Sequence, residues 1–541
     1  MAPRDSRARA GARTHVGTGA RAVALAAAVV LTTGLLTGCT GSGGGRGGGD
    51  DPKPSTGGAS RSTASAPPRA AALPPLPSSL TSQRLSWGRC GATAGAPAPG
   101  SDWQCATLKA PLDYAKPDGP AIGLALIRAK ARGGGDDRIG SLLFNFGGPG
   151  GSGVDLMPAF APQYAKLRER YDLVSFDPRG VSASEGIRCR GDKDMRAAES
   201  VDLTPDTAAE ERAYLKDAED FGAGCEKAGK LLGHVSTTEA ARDLDLMREV
   251  LGDDELHYMG VSYGTELGGV YARLFPGKAG RLVLDAVVDP TAGRVGEAEN
   301  QARGFQRALD NYFTSRGKDP KEGSREIAAL LKRLDAQPLP ASGGRELTES
   351  LATTGIAVTL YSKTSWSALT RGLHDAEKGD GTTLLALADS YNDRDGSGHY
   401  GTASHSQRAI SCLDDKARPT IAQTKARLAK FRAISPVFGQ YMGWDTAGWC
   451  HDWPVPGQWT DPDVSAPSAA PVLVVGNTGD PATPYEGARR MADELGKGVG
   501  VELTWKGEGH GAYGSGSSCV DSTVNSYLLE GRIPRDGKVC S

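Results

Sequence analysis

The sequence predicts an α/β fold with a mostly parallel central sheet and an inserted helical cap. Three observations carry the prediction. Short apolar runs bounded by Gly and Pro recur, helical patterns lie between them, and a long helical stretch separates the early runs from the last two. Continuous apolar runs mark strands buried on both faces, and alternation with helices supplies the cover for a parallel sheet.

The elements follow in chain order. Residues 141–146, 171–176, 255–259 and 281–285 read as buried strands. Residues 239–251 have helical spacing and stop at Gly252, and 265–275 have it and stop at Pro276-Gly277. From about 290 to 463 the chain is largely helical, with no convincing buried strand. Strands then return at 471–475 and 501–505. The expected division is a core of 83–290 and 464–541, with 291–463 inserted as a cap over the mouth of the site. A chain of this length can bury a large core.

The N-terminus reads as an export signal over 1–38, excluded from fold reasoning. Arg4, Arg7, Arg9, Arg13 and Arg21 precede an apolar stretch, 22–36, too short for a comfortable membrane span. Leu36-Thr37-Gly38-Cys39 resembles the bacterial lipoprotein cleavage box, with Cys39 as the lipidated residue. Residues 39–82 are Gly-, Ser- and Pro-rich and read as a flexible tether. The protein is therefore expected outside the cytoplasm, lipid-anchored to the outer face of the membrane or secreted, and monomeric.

Of the nine cysteines, setting Cys39 aside leaves an even number for an oxidising compartment. Many connectivities are open. Cheap closure of short loops favours neighbours: Cys90 with Cys105, Cys189 with Cys225, Cys412 with Cys450, Cys519 with Cys540. No Cys-x-x-Cys or Cys/His cluster has zinc-ligand spacing, so no metal is expected. A formal net charge of −2 with mixed signs gives no nucleic-acid footprint.

The chemistry starts at Gly260-Val261-Ser262-Tyr263-Gly264, the sole Gly-x-Ser-x-Gly of the chain. A strand before it and a helix after it are the context of a nucleophile elbow. In the α/β-hydrolase fold the acid and then the base follow on loops after late strands. Asp480 after strand 471–475 and His510 after strand 501–505 stand in those places. The loop Gly147-Gly148-Pro149-Gly150 follows an early strand, so the N–H groups of Gly148 and Tyr263 are expected to hold the oxyanion, with Gly147 as an alternative. Such donors are worth roughly 3–4 kcal/mol each in comparable hydrolases. Dinucleotide and Walker patterns are absent, and no cofactor is required.

From Trp87 to Cys540 the chain resembles the secreted tripeptidyl aminopeptidases of actinobacteria, relatives of the proline iminopeptidases. The resemblance rests on Pro111-Leu112-Asp113-Tyr114, Gly147-Gly148-Pro149-Gly150, Phe176-Asp177-Pro178-Arg179-Gly180-Val181 and Ala241-Arg242-Asp243-Leu244-Asp245. It continues through the Ser262 elbow, Cys450-His451-Asp452-Trp453-Pro454, Gly479-Asp480-Pro481-Ala482-Thr483-Pro484 and Gly509-His510-Gly511. It implies an α/β-hydrolase with a helical cap, a Ser262–Asp480–His510 triad, and removal of short peptides from free N-termini. Two positions depart from the pattern. Phe146 stands where proline iminopeptidases usually have His, and Glu266 where an aromatic residue is expected.

An exopeptidase must neutralise the substrate's α-ammonium, and Glu297 and Glu299 in the cap are candidate partners. His257 reads as a packed core histidine, and His451 with Asp452 as part of a disulfide-anchored cap loop. Two alternatives to the exopeptidase remain: an esterase on the same triad, and a lipid-anchored binding protein without turnover.

Overall fold

The computed structural model describes residues 73–541. The signal 1–38, Cys39 and the tether to residue 72 lie outside the described residues. The end of the expected tether is not part of one. A short helix at Ser78–Thr81 buries Leu80, Leu76 packs on the core, and the Gln83 amide donates to the Lys109 carbonyl at 2.8 Å. The leucines near its end give this stretch apolar surface to bury, so its order starts before residue 83.

Strands β1 (Gly88–Arg89), β2 (Gln104–Pro111) and β3 (Ala121–Ala129) form an antiparallel edge. Then come β4 (Gly140–Asn145), β5 (Tyr171–Phe176), β6 (Leu256–Val261) and β7 (Ala279–Asp285). β8 (Leu339–Ala341) and β9 (Arg345–Leu347) pair only with each other, and β10 (Val472–Gly479), β11 (Gly500–Glu508) and β12 (Lys538–Cys540) return to the main sheet. Its order is β1-β2-β3-β5-β4-β6-β7-β10-β11-β12, parallel from β5 through β12.

Burial follows the sequence pattern. β4 and β5 are buried at every position, whereas β2 largely alternates buried with exposed. The helix Thr237–Leu251 is capped by Ser236, whose hydroxyl accepts from the Glu239 N–H, and it ends at Gly252 in the left-handed region.

Between β7 and β10 the chain is helical apart from the β8–β9 ribbon, the one piece of strand the sequence reading did not foresee there. This stretch has its own core around Phe305, Ile356, Phe431 and Phe438. The helices Asp192–Ala198 and Ala208–Cys225, from the β5–β6 connection, join it. The Tyr214 hydroxyl donates to the Trp444 carbonyl at 3.0 Å, the Gln440 amide to the Thr204 carbonyl at 2.9 Å, and Arg345 pairs with Glu199 at 2.8 Å. The expected core stretch 83–290 thus contains two helices that also bond to the insertion, while Phe221 and Cys225 of the longer one pack with the sheet. Their polar faces bond to the insertion, and nothing in their own sequence says so.

Three of the motif segments converge on one buried guanidinium. Arg179 donates to both oxygens of Asp243 at 2.7 Å, to Glu239 at 3.0 Å and to the carbonyls of Pro111 and Leu112. The Tyr114 hydroxyl completes the cluster on Asp243 at 2.8 Å. A buried charge persists only when paired and fully hydrogen-bonded, which couples these segments in the fold. Among the described residues four disulfides are present: Cys90–Cys105, Cys189–Cys225, Cys412–Cys450 and Cys519–Cys540.

Candidate active site

Ser262 sits between β6 and the helix Tyr263–Leu274 at φ 59°, a left-handed conformation that costs a non-glycine residue energy. Its surroundings enforce the turn. A Cβ on Gly260 would fall 2.2 Å from the Gly264 carbonyl oxygen, and one on Gly264 2.5 Å from that of Asn145. The turn is thus closer than any side chain allows. The Ser262 N–H donates to the Asp285 carbonyl at 3.1 Å, and its own carbonyl accepts from the Thr265 hydroxyl at 2.6 Å and the Thr265 N–H at 2.8 Å.

The glycine loop after β4 lies against this elbow. A Cβ on Gly147 would stand 2.8 Å from the Ser262 Cβ and 3.1 Å from the Tyr263 nitrogen. The Gly147 N–H donates to the Asn145 side chain at 3.0 Å. Gly148 has φ +114° and precedes a cis proline, and its carbonyl accepts from Gln407 at 3.1 Å. The Gly147 N–H is thus engaged by Asn145 rather than free for a ligand at Ser262.

Asp480, buried just beyond β10, accepts from His510 Nδ1 at 2.9 and 3.0 Å. The N–H groups of Ala482 and Thr483 donate to its Oδ1 at 3.0 and 2.9 Å. Burial lowers the basicity of His510, but the Asp480 charge, its hydrogen bond and the Asp285 charge outweigh that and hold the imidazole above its ordinary value.

Several residues that hold His510 were not singled out in the sequence. Asp285, at the end of β7, accepts from the Ala512 N–H at 3.0 Å and the Tyr513 N–H at 2.9 Å. Burial pushes its carboxyl up to about 6. Asn477 donates to the Gly509 carbonyl at 2.5 Å, and Thr483 Oγ1 stands 3.3 Å from His510 Nδ1. Tyr361 of the insertion accepts the His510 N–H at 2.8 Å and sets its ring edge-on to the imidazole at 5.3 Å. The available signal was position alone: Asp285 and Asn477 lie on strands adjacent to the elbow or base strand.

Ser262, Gly148 and His510 line one cavity of 730 Å³, between the strand ends and the insertion. That is the size of a small-ligand pocket. Its wall carries Glu266 and Glu297. Burial, then the charges of Asp414 and Glu297, push the Glu266 carboxyl well above the carboxylate range, and burial pushes Glu297 up to about 7. Glu299 does not join them. It lies on another face of the helix Gly293–Ser315 that carries Glu297, paired with Lys430 at 2.5 Å and Arg303 at 3.5 Å, which corrects its candidacy.

His257 is a core histidine: Nδ1 accepts from the Arg281 N–H at 3.1 Å, and burial lowers its pKa to about 4. His451 follows the disulfide-bonded Cys450 and meets Glu219 at 3.6 Å. Among the described residues, the two groups with cation-binding spacing, Asp113–His234–Glu239 and Asp202–Asp335–Glu349, do not line the cavity.

The family model described as TAP-like protein matches residues 435–540. Serine protease Hip1 of Mycobacterium tuberculosis is 37% identical over 460 residues, covering 81% of this chain and 87% of the relative. Carboxylesterase B of the same organism is 35% identical over 460 residues, covering 81% and 86%. Tripeptidyl aminopeptidase of Streptomyces lividans is 31% identical over 481 residues, covering 84% and 86%.

Proposed function

This chain belongs to the α/β-hydrolase family that contains the Hip1 serine protease and the Streptomyces tripeptidyl aminopeptidases, and from that premise we propose a serine exopeptidase that removes short peptides from free N-termini. Ser262 is its nucleophile, His510 its general base and Asp480 the acid that orients His510.

One observation carries the reading. The Asp480 carboxylate takes up His510 Nδ1 at 2.9 Å, which leaves Nε2 for the proton of a serine in the same cavity. Ser262 then attacks the scissile carbonyl, and its proton passes to His510. The Tyr263 and Gly148 N–H groups receive the oxyanion. His510 protonates the leaving amine, and the acyl-enzyme is hydrolysed by water activated by the same imidazole.

Glu297 and Glu266 are the carboxylates that meet the substrate's ammonium, because both face the cavity and neither pairs with a cation among the described residues. Each must be ionised to do so. The KM for substrates with a free N-terminus should therefore rise as the pH falls through the neutral range. The enzyme works outside the cytoplasm as a monomer, anchored through Cys39. Four disulfides support an oxidising compartment.

The relative named carboxylesterase B supports a second reading, an esterase on the same triad. Purified protein assayed against tripeptide-, dipeptide- and proline-anilides and short acyl esters separates the two. Tripeptide release that is lost on N-acetylation is the expected result. Turnover of esters alone would select the esterase, and no turnover of either would select a binding protein. A mature N-terminus at Cys39, found with the membranes and released by Cys39→Ser, checks the anchor.

A further inference from the structure

We propose that Asp285 is a positioning residue that ties the nucleophile's turn to the base's loop, through one backbone acceptor and one carboxylate. The proposal rests on the triad reading and adds a residue to it.

β7 runs between the nucleophile strand and the acid strand, with Asp285 in register with Val261 on β6 and Val475 on β10. Its carbonyl accepts the Ser262 N–H at 3.1 Å. Its carboxylate accepts the N–H groups of Ala512 and Tyr513, two and three residues after His510. One residue thus bonds to Ser262 and to the loop that follows His510. At 2% exposure, such a carboxylate is costly to bury, and among the described residues it forms no salt bridge. Two N–H donors aimed at it compensate for part of that cost.

Asn replaces the carboxylate poorly. Oδ2 accepts from both N–H groups and Oδ1 from Ala512 as well, so an Asn oxygen in the Oδ2 place keeps both bonds only by turning its N–H₂ onto the Ala512 N–H, and the opposite orientation leaves the Tyr513 N–H unpaired. Either arrangement sets two donors face to face and removes the charge behind His510. The charged and titratable groups facing Asp285 are Asp480 after β10, His510 and Tyr513 after β11, and Tyr164 from the turn Ala161–Tyr164. His510 is the cation that the Asp285 charge favours. Loss of that charge makes the imidazole a weaker base.

The test compares Asp285→Asn with wild type, with Ser262→Ala and His510→Ala carried alongside. In a folded Asp285→Asn protein, kcat should fall about 10- to 100-fold, as expected for a displaced catalytic group, while KM stays within about twofold. The acid limb of kcat/KM should move to lower pH, which loss of packing alone would not produce. An unchanged kcat or an unmoved acid limb would overturn the assignment. Full activity in Ser262→Ala or His510→Ala would instead overturn the triad. If Asp285→Asn does not fold, amide exchange in wild type decides. Protected Ala512 and Tyr513 amides support the clamp, and freely exchanging ones refute it.

Discussion

On the proposed nucleophile's side of the site, position is enforced by what the residues lack; on the proposed base's side, by charge. Gly260, Gly264 and Gly147 leave no room for a side chain, and Ser262 is squeezed into a left-handed turn between them. His510 sits on a loop whose own glycines, Gly509 and Gly511, have positive φ. It is held by Asp480, Asp285 and Asn477 and by the Tyr361 carbonyl of the insertion. Steric enforcement does not titrate, whereas carboxylate enforcement does. The two halves of the proposed catalytic pair should therefore fail under different perturbations.

The largest effect should come from removing either member. Ser262→Ala and His510→Ala should each lower turnover on the order of a million-fold while the fold stays intact by circular dichroism, because triad members act as a unit. Asp480→Asn should cost about 10⁴-fold, since the imidazole then takes the wrong tautomer.

Gly264→Ala tests the steric side. The added methyl would meet the Asn145 carbonyl oxygen at 2.5 Å, so backbone must move. Turnover should fall at least about 100-fold, through a displaced nucleophile, with little change in the pH profile. A variant with normal kcat would show that the turn has slack.

The pH dependence tests the charged side. Burial raises Asp285 and Asp177 to about 6 and Asp414 and Glu297 to about 7. Unfolded carboxyls titrate near 4, so between about pH 4 and 7 the folded chain binds more protons than the unfolded one. Stability from these groups is present at acid pH and lost as pH rises through 6 to 7. His510 needs the opposite, because only the neutral imidazole accepts the serine proton. Thermal melts and kcat/KM measured from pH 5 to 8 should therefore run in opposite directions. Parallel curves would contradict the assignment of these groups.

The smallest effect on catalysis should come from the insertion's disulfide. Cys412→Ser with Cys450→Ser should lower stability by about 2–4 kcal/mol, read from denaturant melts, with kcat little changed.

The buried strands were legible because burial on both faces leaves an unbroken apolar run, as in 141–146 and 171–176. β2 leaves a weak signal because it buries mainly one face and its apolar residues are interspersed with polar ones, whereas β3 is apolar from Ala121 to Ile127 and its small Ala and Gly positions blunt the run. β12, at three residues, is too short to leave a pattern. Asp480 and His510 were legible from their order after strands. Asp285 was not, because a carboxylate ending a strand looks the same in sequence whether it meets water or two backbone donors. Glu297 and Glu299 illustrate the same limit. Two residues apart on a helix, they point to different faces, and only packing decides which one lines the cavity.

Mass mapping of the purified chain after reaction with a peptidyl diphenyl phosphonate tests the central claim most directly. The adduct should lie on Ser262 alone, be absent in Ser262→Ala, and form far more slowly in His510→Ala. An adduct on another serine, or labelling of His510→Ala at the wild-type rate, would contradict the account.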